Sequence, residues 1–405
     1  MADLTDSTRP LASMRRVQAW IEKHDYKGYE PFDALGSFLR PLACGTLVGE
    51  VILQQIGRQS PINIRPLLGV KPLDSSKGRG YIAWGHLTRH AATGDKDHLA
   101  KAEECLDWLD RHKSKLHANH SWGNAFDYAS RGGWIAKDEP TIVWTSLIGQ
   151  AFLEAYDQTR NERWLLIADR ICAWIVGLPR LETPAGVCLE YTATGDGTCT
   201  IHNSSMLGAA MLARTGQLTN NSNYLALAQR AMAYSCQCQL PDGAWYYGEV
   251  SEGHWIDSFH TGYNLDSLKR YIAYTKDETW RQNLTRGFEF FKNHFVDPDG
   301  CPRYYHNRRQ PIDIQGAAQV IDTLAFFSEE DPSSLELSLK VAQWTIANMQ
   351  DPDGHFYYRR YPLITAKAPM IHWGQATMFK ALANLASRLE RSTKGTAKGV
   401  SPGPV

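Results

Sequence analysis

An isoleucine followed by small or aromatic residues recurs along this chain at Ile82, Ile142, Ile201, Ile256, Ile312 and Ile371. By subtraction the spacings are 60, 59, 55, 56 and 59 residues. Two helices with their two connections fill about that length, so a repeat of helical hairpins constrains the fold before any single residue does. Each unit opens on a helix crowded with small residues, as in WGHLTRHAA, WTSLIGQAF, NSSMLGAAML, IQGAAQVID and WGQATMFKAL. Small side chains let neighbouring backbones approach, which predicts an inner ring. Each unit then breaks at a polar turn (TGDKD, QTRNE, TNNSN, TKDET, EEDPS) into a helix with one charged face, such as HLAKAEECLDWLDRHK. One-sided helices of this kind predict an outer ring.

The sixth inner helix, about 371 to 390, is followed only by STKGTAKGVSPGPV, which has nothing to bury and is expected to be disordered from 392 to 405. Its partner is then the N-terminal segment SMRRVQAWIEKHD, which has outer-helix character and leads into a Gly-aromatic stretch, YKGYEPF. Chain ends that pair in this way close a ring. The expectation is an all-α fold, one (α/α)6 toroid over residues 1 to 391 with short β segments at its rim. Residues 36 to 79 stand outside the repeat and predict an insertion over one face, with a helix near Pro41 to Gln55.

Composition narrows the class. The chain has 43 basic and 43 acidic residues among 405, so no overall field draws it to nucleic acid. The opening MADLTDSTRP lacks the basic-then-apolar run of a secretory signal, and no stretch has the roughly 18 apolar residues of a membrane span. Eight scattered cysteines without a paired CxxC set read as reduced side chains, and the expected setting is cytoplasmic.

Between each outer helix and the next inner one lies a short Gly-aromatic segment: SWGNAFDY, GVCLEY, PDGAWYYGE, PDGCPRYYHN and PDGHFYYRR. All lead into inner-helix N-termini, so they crowd one end of the ring and mark it as the functional face. The residue after each anchor samples that rim and reads Ala83, Val143, His202, Asp257, Asp313, His372. Four consecutive ionisable positions suit acid/base chemistry, although aspartate there also serves as a helix cap. Asp257 is the leading catalytic carboxyl because His260 follows three residues later on the same helix face, and Asp313 is the second. His202, His372, His260 and Tyr304 complete the catalytic candidates.

Trp245, Tyr246, Trp255 and Trp373 offer flat faces for sugar rings, with inner-helix packing the alternative reading for Trp84 and Trp144. Asp127, Arg131, Glu190, Glu249, His306, Arg308, Tyr358 and Arg359 are the polar binding candidates, with His86 and Arg89 further along the rim. The arginines favour a carboxylate on the sugar. His202, Asp257, Asp313 and His372 are suitable ligand types for zinc, yet four separate helix ends do not converge on one point, so neither a metal nor another cofactor is expected there.

On the repeat and on WYYGEVSEGHWIDSFHTGYNLDSL, residues 245 to 268, the chain resembles the six-hairpin glycosidase superfamily. That superfamily includes unsaturated glucuronyl hydrolases and helical proteins of bacterial polysaccharide-biosynthesis clusters. The likeness covers about residues 80 to 390 plus the N-terminal helix. It implies a toroid acting on glycans, often those with uronic acids; glucuronyl hydrolases hydrate a double bond with two aspartates, and by place in the ring alone the resemblance implies Asp257 and Asp313 as their counterparts. QLPDGAW, residues 239 to 245, also resembles the Gln-to-Trp repeat of terpenoid-cyclase toroids, but their DxDD acid is missing.

The functional expectation is a carbohydrate-active enzyme, foremost a glycoside hydrolase using a carboxylate pair. Carboxyls about 5 to 5.5 Å apart would imply retention and about 6.5 to 9.5 Å inversion. A uronate lyase or C5-epimerase using His260 and Tyr304 is the alternative, and a non-catalytic glycan-binding scaffold is the reading from another class.

Overall fold

The computed structural model describes residues 8 to 130 and 133 to 398. Inner helices α3 (Ser76–Thr93), α5 (Ile142–Thr159), α7 (His202–Thr219), α9 (Ser258–Thr275), α11 (Ile314–Phe326) and α13 (Thr377–Lys398) pack each on the next, and α13 packs back on α3. Outer helices α4 (Lys96–Arg111), α6 (Glu162–Val176), α8 (Ser222–Gln237), α10 (Arg281–His294) and α12 (Ser333–Met349) pair with the inner helices that precede them, while α1 (Thr8–Lys23) lies against α13 and α12. This is an (α/α)6 toroid.

Local chemistry explains the regularity of the hairpins. Four inner helices end on a left-handed residue, Gly94, Arg160, Asn220 or Lys276, and the next residue caps the following helix with its side chain. Those caps are Asp95, Asn161, Asn221 and Asp277. A left-handed stop followed at once by an Asx start turns the chain in two residues. At the other end of the ring, the Asp-Gly turns pack on the next outer helix. A Cβ on Gly243 would lie 2.4 Å from the Arg286 carbonyl oxygen, and one on Gly354 would lie 2.5 Å from that of Arg16, so only glycine fits where turn and helix meet. Arg16 belongs to α1, so the last turn seats on the N-terminal helix as the others seat on theirs.

Three boundaries differ from the sequence expectation. Ile82 lies in the second turn of α3, not at its start, because Ser75 caps that helix. In the 36 to 79 segment, α2 spans Leu47–Gln59 behind a Thr46 cap, and Arg40–Ala43 is a separate 3-10 turn. Finally, α13 continues to Lys398, beyond Ser392 where the tail was expected to begin; residues 399 to 405 lie outside the described residues. No helix of the described residues is long and apolar enough to cross a membrane.

Candidate active site

The N-terminal ends of the inner helices open into a crater. The last inner segment enters it as a π-helical turn, Ile371–Ala376, in which Gln375 N reaches back to the Met370 carbonyl at 3.0 Å. Turns of this kind widen the helix and often mark functional positions. Tyr29 bridges to Met370, and its carbonyl accepts from Ile371 N at 2.8 Å, which lays Glu30 beside His372. His372 Nδ1 donates to Glu30 Oε2 at 2.6 Å. Its Nε2 is buried and meets no partner. Burial holds this imidazole below its ordinary pKa against the raising effect of Glu30, so it is neutral at pH 7 with an unshared electron pair on Nε2.

Lys77 stands beside this dyad in the first turn of α3. It is 4% exposed and has no hydrogen bond or ion pair among the described residues. Its Nζ lies 5.6 Å from the Trp144 ring, 5.6 Å from that of Tyr263 and 5.8 Å from that of Tyr81. Burial pushes the amine from 10.5 down to about 7, with Glu30 opposing. The His372 ring is 5.2 Å from Trp144, so Lys77 and His372 share one wall.

A second dyad faces the same centre. Asp257 caps α9 through His260 N at 2.9 Å, and its other oxygen accepts His260 Nδ1 at 2.7 Å and Trp255 Nε1 at 3.0 Å. Its carboxylate is thus engaged as a holder, and the accessible nitrogen is His260 Nε2. The His260 ring lies 4.5 Å from Tyr247 and 6.5 Å from Tyr263, the tyrosine that also flanks Lys77. Both carboxylate–imidazole pairs therefore border the Lys77 and Tyr263 neighbourhood.

Asp313 is placed differently. Its Oδ1 accepts Gln315 N at 3.0 Å and Trp373 Nε1 at 2.9 Å, while Oδ2 accepts Arg359 Nε at 2.5 Å. With both oxygens occupied and the residue 1% exposed, it organises the rim and does not present a free carboxylate. Tyr304 packs nearby, and burial with the two aspartates raises its phenol well above the ordinary range. A phenol so raised is protonated at neutral pH and donates hydrogen bonds.

The remaining candidates divide. Trp255 stacks on Tyr247 at 4.4 Å and Trp373 lies 6.0 Å from Phe32, so both belong to the crater wall. Trp245 does not: it is 2% exposed, its Nε1 bonds the Ser235 carbonyl at 2.8 Å, and its ring packs on Gly287, because the turn that carries it points it down between helices. Tyr246 stacks on His254 at 4.2 Å. His202 is satisfied at both nitrogens, by Ser235 Oγ at 3.2 Å and Glu249 Oε1 at 2.8 Å. Glu190 accepts from Cys199 N at 2.8 Å and stitches its own loop. Asp127 pairs with Arg40 and accepts Lys137 N at 2.8 Å. His306 Nδ1 lies 3.3 Å from the Ile256 carbonyl oxygen, Arg308 stacks over Tyr305 at 4.3 Å, and buried Tyr358 accepts from Arg58 Nε at 3.1 Å. Arg131 lies outside the described residues. His86 and Arg89 sit deeper in α3, where His86 contacts His98 at 2.8 Å and Arg89 pairs with Glu390, so neither belongs to the rim.

Sequence reasoning missed Glu30, Lys77 and Arg58. Arg58, on α2, lies 4.7 Å over the Phe32 ring and has no carboxylate partner among the described residues, so the insertion brings a second cation to the crater. Tyr128, Tyr191 and Tyr247 also lie there, half-buried and close enough to raise one another's phenols. The Ser75 cap with Gly78 behind it was the signal for Lys77, hidden by setting the first repeat on Ile82.

No protein-family model matches the chain, and no curated protein matches its sequence. Among solved structures, it is similar to the GH76 alpha-mannanase of Bacteroides thetaiotaomicron, at TM-score 0.60 and 12% identity over 78% of this chain and 87% of that one. It is also similar to the cellobiose 2-epimerase of Bacillus thermoamylovorans, at TM-score 0.58 and 9% identity over 78% and 90% of the two chains. An unsaturated glucuronyl hydrolase specific for heparin matches at TM-score 0.58 and 13% identity, over 81% and 90%. At such identities the likeness establishes the fold, which is the six-hairpin toroid of these proteins.

Proposed function

We propose that this chain is a carbohydrate-active enzyme that acts on a uronic-acid-containing glycan in bacterial polysaccharide metabolism or biosynthesis. The observation that carries the reading is the paired arrangement of imidazoles. His372 is held by Glu30 and His260 by Asp257, each through Nδ1, which leaves each Nε2 to take or return a proton. Two such bases bordering the Lys77 and Tyr263 neighbourhood suit proton transfer at carbon, as in a lyase or a C5-epimerase. Lys77 and Arg58, cations without carboxylate partners, suit the sugar's carboxylate and the negative charge that grows on it as the C5 proton leaves. Aromatic walls from Trp144, Trp255 and Trp373 suit the ring's CH face.

Hydrolysis or hydration is the second reading, favoured by the same His260–Asp257 pair, which can deprotonate a water as readily as a carbon acid. A carboxylate pair formed by Asp257 and Asp313 is the less fitting route, because hydrogen bonds already engage both groups. The eight cysteines, all free, suit a reducing, cytoplasmic setting.

The test is incubation in deuterium oxide with oligosaccharides containing glucuronate, galacturonate or mannuronate, followed by NMR. The expected result is deuterium at C5 with inversion there, or loss of the C5 proton with a new C4–C5 double bond conjugated to the carboxylate. New reducing ends with the C5 proton retained and no new double bond would overturn proton transfer in favour of hydrolysis. Binding without turnover of any of them would point to a scaffold.

A further inference from the structure

A second cluster stands apart from both imidazole dyads, where α7 begins. A ring nitrogen of His202, Cys238 Sγ and a Glu249 carboxylate oxygen all lie within 4.8 Å of one another, with Nε2 the nitrogen that faces Glu249. From this juxtaposition we infer a binding site for a divalent transition metal of zinc type, with His202, Cys238 and Glu249 as its protein ligands.

The chemistry of the set supports this. One imidazole, one thiolate and one carboxylate make a borderline-soft donor set that zinc accepts readily and magnesium or calcium does not. Three protein ligands leave a fourth tetrahedral position for water. The outer contacts are those a ligating histidine needs: His202 is fully buried, and its Nδ1 meets Ser235 Oγ at 3.2 Å, which fixes the ring with Nε2 turned to the cluster. Ser235 is itself buried on α8, so this support is rigid. Glu249 is about a third exposed, which leaves a path for an ion to enter. In the structure a hydrogen bond of 2.8 Å joins His202 Nε2 to Glu249 Oε1. A metal replaces that bond with two coordinate bonds.

Cys238 gives the cluster its sulfur ligand. Its thiol makes no hydrogen bond among the described residues, so the sulfur is not committed to another partner. Binding then balances as follows: the metal gains a sulfur ligand, the S–H bond breaks, and the thiol proton leaves to solvent. The proton that His202 Nε2 donates to Glu249 in the metal-free protein moves to Nδ1, which then donates to Ser235 Oγ, so the imidazole stays neutral.

The position gives the site a consequence for the crater. His202 N, at the start of its helix, donates to the Tyr247 carbonyl at 3.1 Å, while Ile201 bridges to Gly248. A metal joining α7, the end of α8 and Glu249 fastens the 239 to 255 loop at its start and near its middle, and that loop carries Tyr247 and Trp255 to the wall beside His260.

The experiment uses the full chain stripped with a chelator, then titrated with Zn2+ by calorimetry and with Co2+ by absorption. The expected results are one tight site per chain, a sulfur-to-cobalt charge-transfer band, and a binding enthalpy that varies with buffer in the measure of a released thiol proton. Cys238→Ser should abolish the band and weaken Zn2+ binding at least about tenfold. Glu249→Gln, on an exposed loop, provides a second variant that preserves the fold and should also weaken binding. Absence of stoichiometric binding would overturn the site, as would unchanged binding in Cys238→Ser, which would place the ion elsewhere, for instance at Asp351, Asp353 and His355.

Discussion

The Nδ1 of His372 and the Oε2 of Glu30 meet at 2.6 Å although 342 residues separate them in the chain. The N-terminal strand-like segment and the last inner helix are therefore joined in one functional unit. Glu30 does not face the solvent; it fixes the tautomer of His372 and leaves Nε2 as the working atom.

Glu30→Gln tests that role. An amide NH2 in place of the carboxylate can donate to Nδ1 and shift the imidazole proton to Nε2, removing the base. Turnover on the active uronate should fall by about a hundredfold or more, with the melting temperature little changed, since the side chain keeps its shape. An unaltered rate would remove the dyad from the mechanism.

Asp313→Asn separates a structural carboxylate from a catalytic one. The change leaves Arg359, 4% exposed, with no charged partner, and breaking a buried pair from one side costs about 3 to 5 kcal/mol. Denaturant unfolding should show that loss. Combining Asp313→Asn with Arg359→Met should recover part of it, because no stranded charge remains. If Asp313→Asn instead unfolded like the parent and lost only activity, the carboxylate would belong to the chemistry.

Trp245→Ala should act on stability. The indole fills the space against Gly287 and bonds the Ser235 carbonyl, so truncation is expected to cost about 3 to 5 kcal/mol in unfolding free energy. Glycan affinity measured on the folded fraction should change little. Weakened affinity at parental stability would return Trp245 to the crater.

The hairpin repeat was legible because it rests on local rules: small residues on inner helices, Asx caps after left-handed stops, and Asp-Gly turns. The Asp257 and His260 contact was legible for the same reason, since three residues on one helix start determine it. The register of Asp313 was legible, but its partner was not, because Arg359 arrives from a different connection. Glu30, Lys77 and Arg58 were hidden for a related reason. Each lies outside the clean part of the repeat, and only the closing of the ring and the folding of the insertion over it bring them to the crater.

Lys77 offers a test in which stability and activity move in opposite directions. Its amine is buried among Trp144, Tyr263 and Tyr81 without a hydrogen-bond partner among the described residues, and burial lowers it from 10.5 to about 7. Between those values the unfolded chain holds a proton on this side chain that the folded one has released, so stability rises with pH across that window. Below about pH 7 both states are protonated, and the full cost of burying the charge is present. Lys77→Met removes the charge and keeps the length. It should stabilise the protein at pH 6 to 7 by on the order of a few kcal/mol, and the advantage should shrink toward pH 10. The same change should reduce turnover on a uronate substrate by about a hundredfold or more, because the growing negative charge loses its nearest cation. Melting curves of parent and variant from pH 6 to pH 10, with turnover at pH 7, decide the matter. A pH-independent difference in stability would show that Lys77 is not buried as a destabilised cation. Retained activity would show that the substrate's charge is met elsewhere, with Arg58 the first residue to examine.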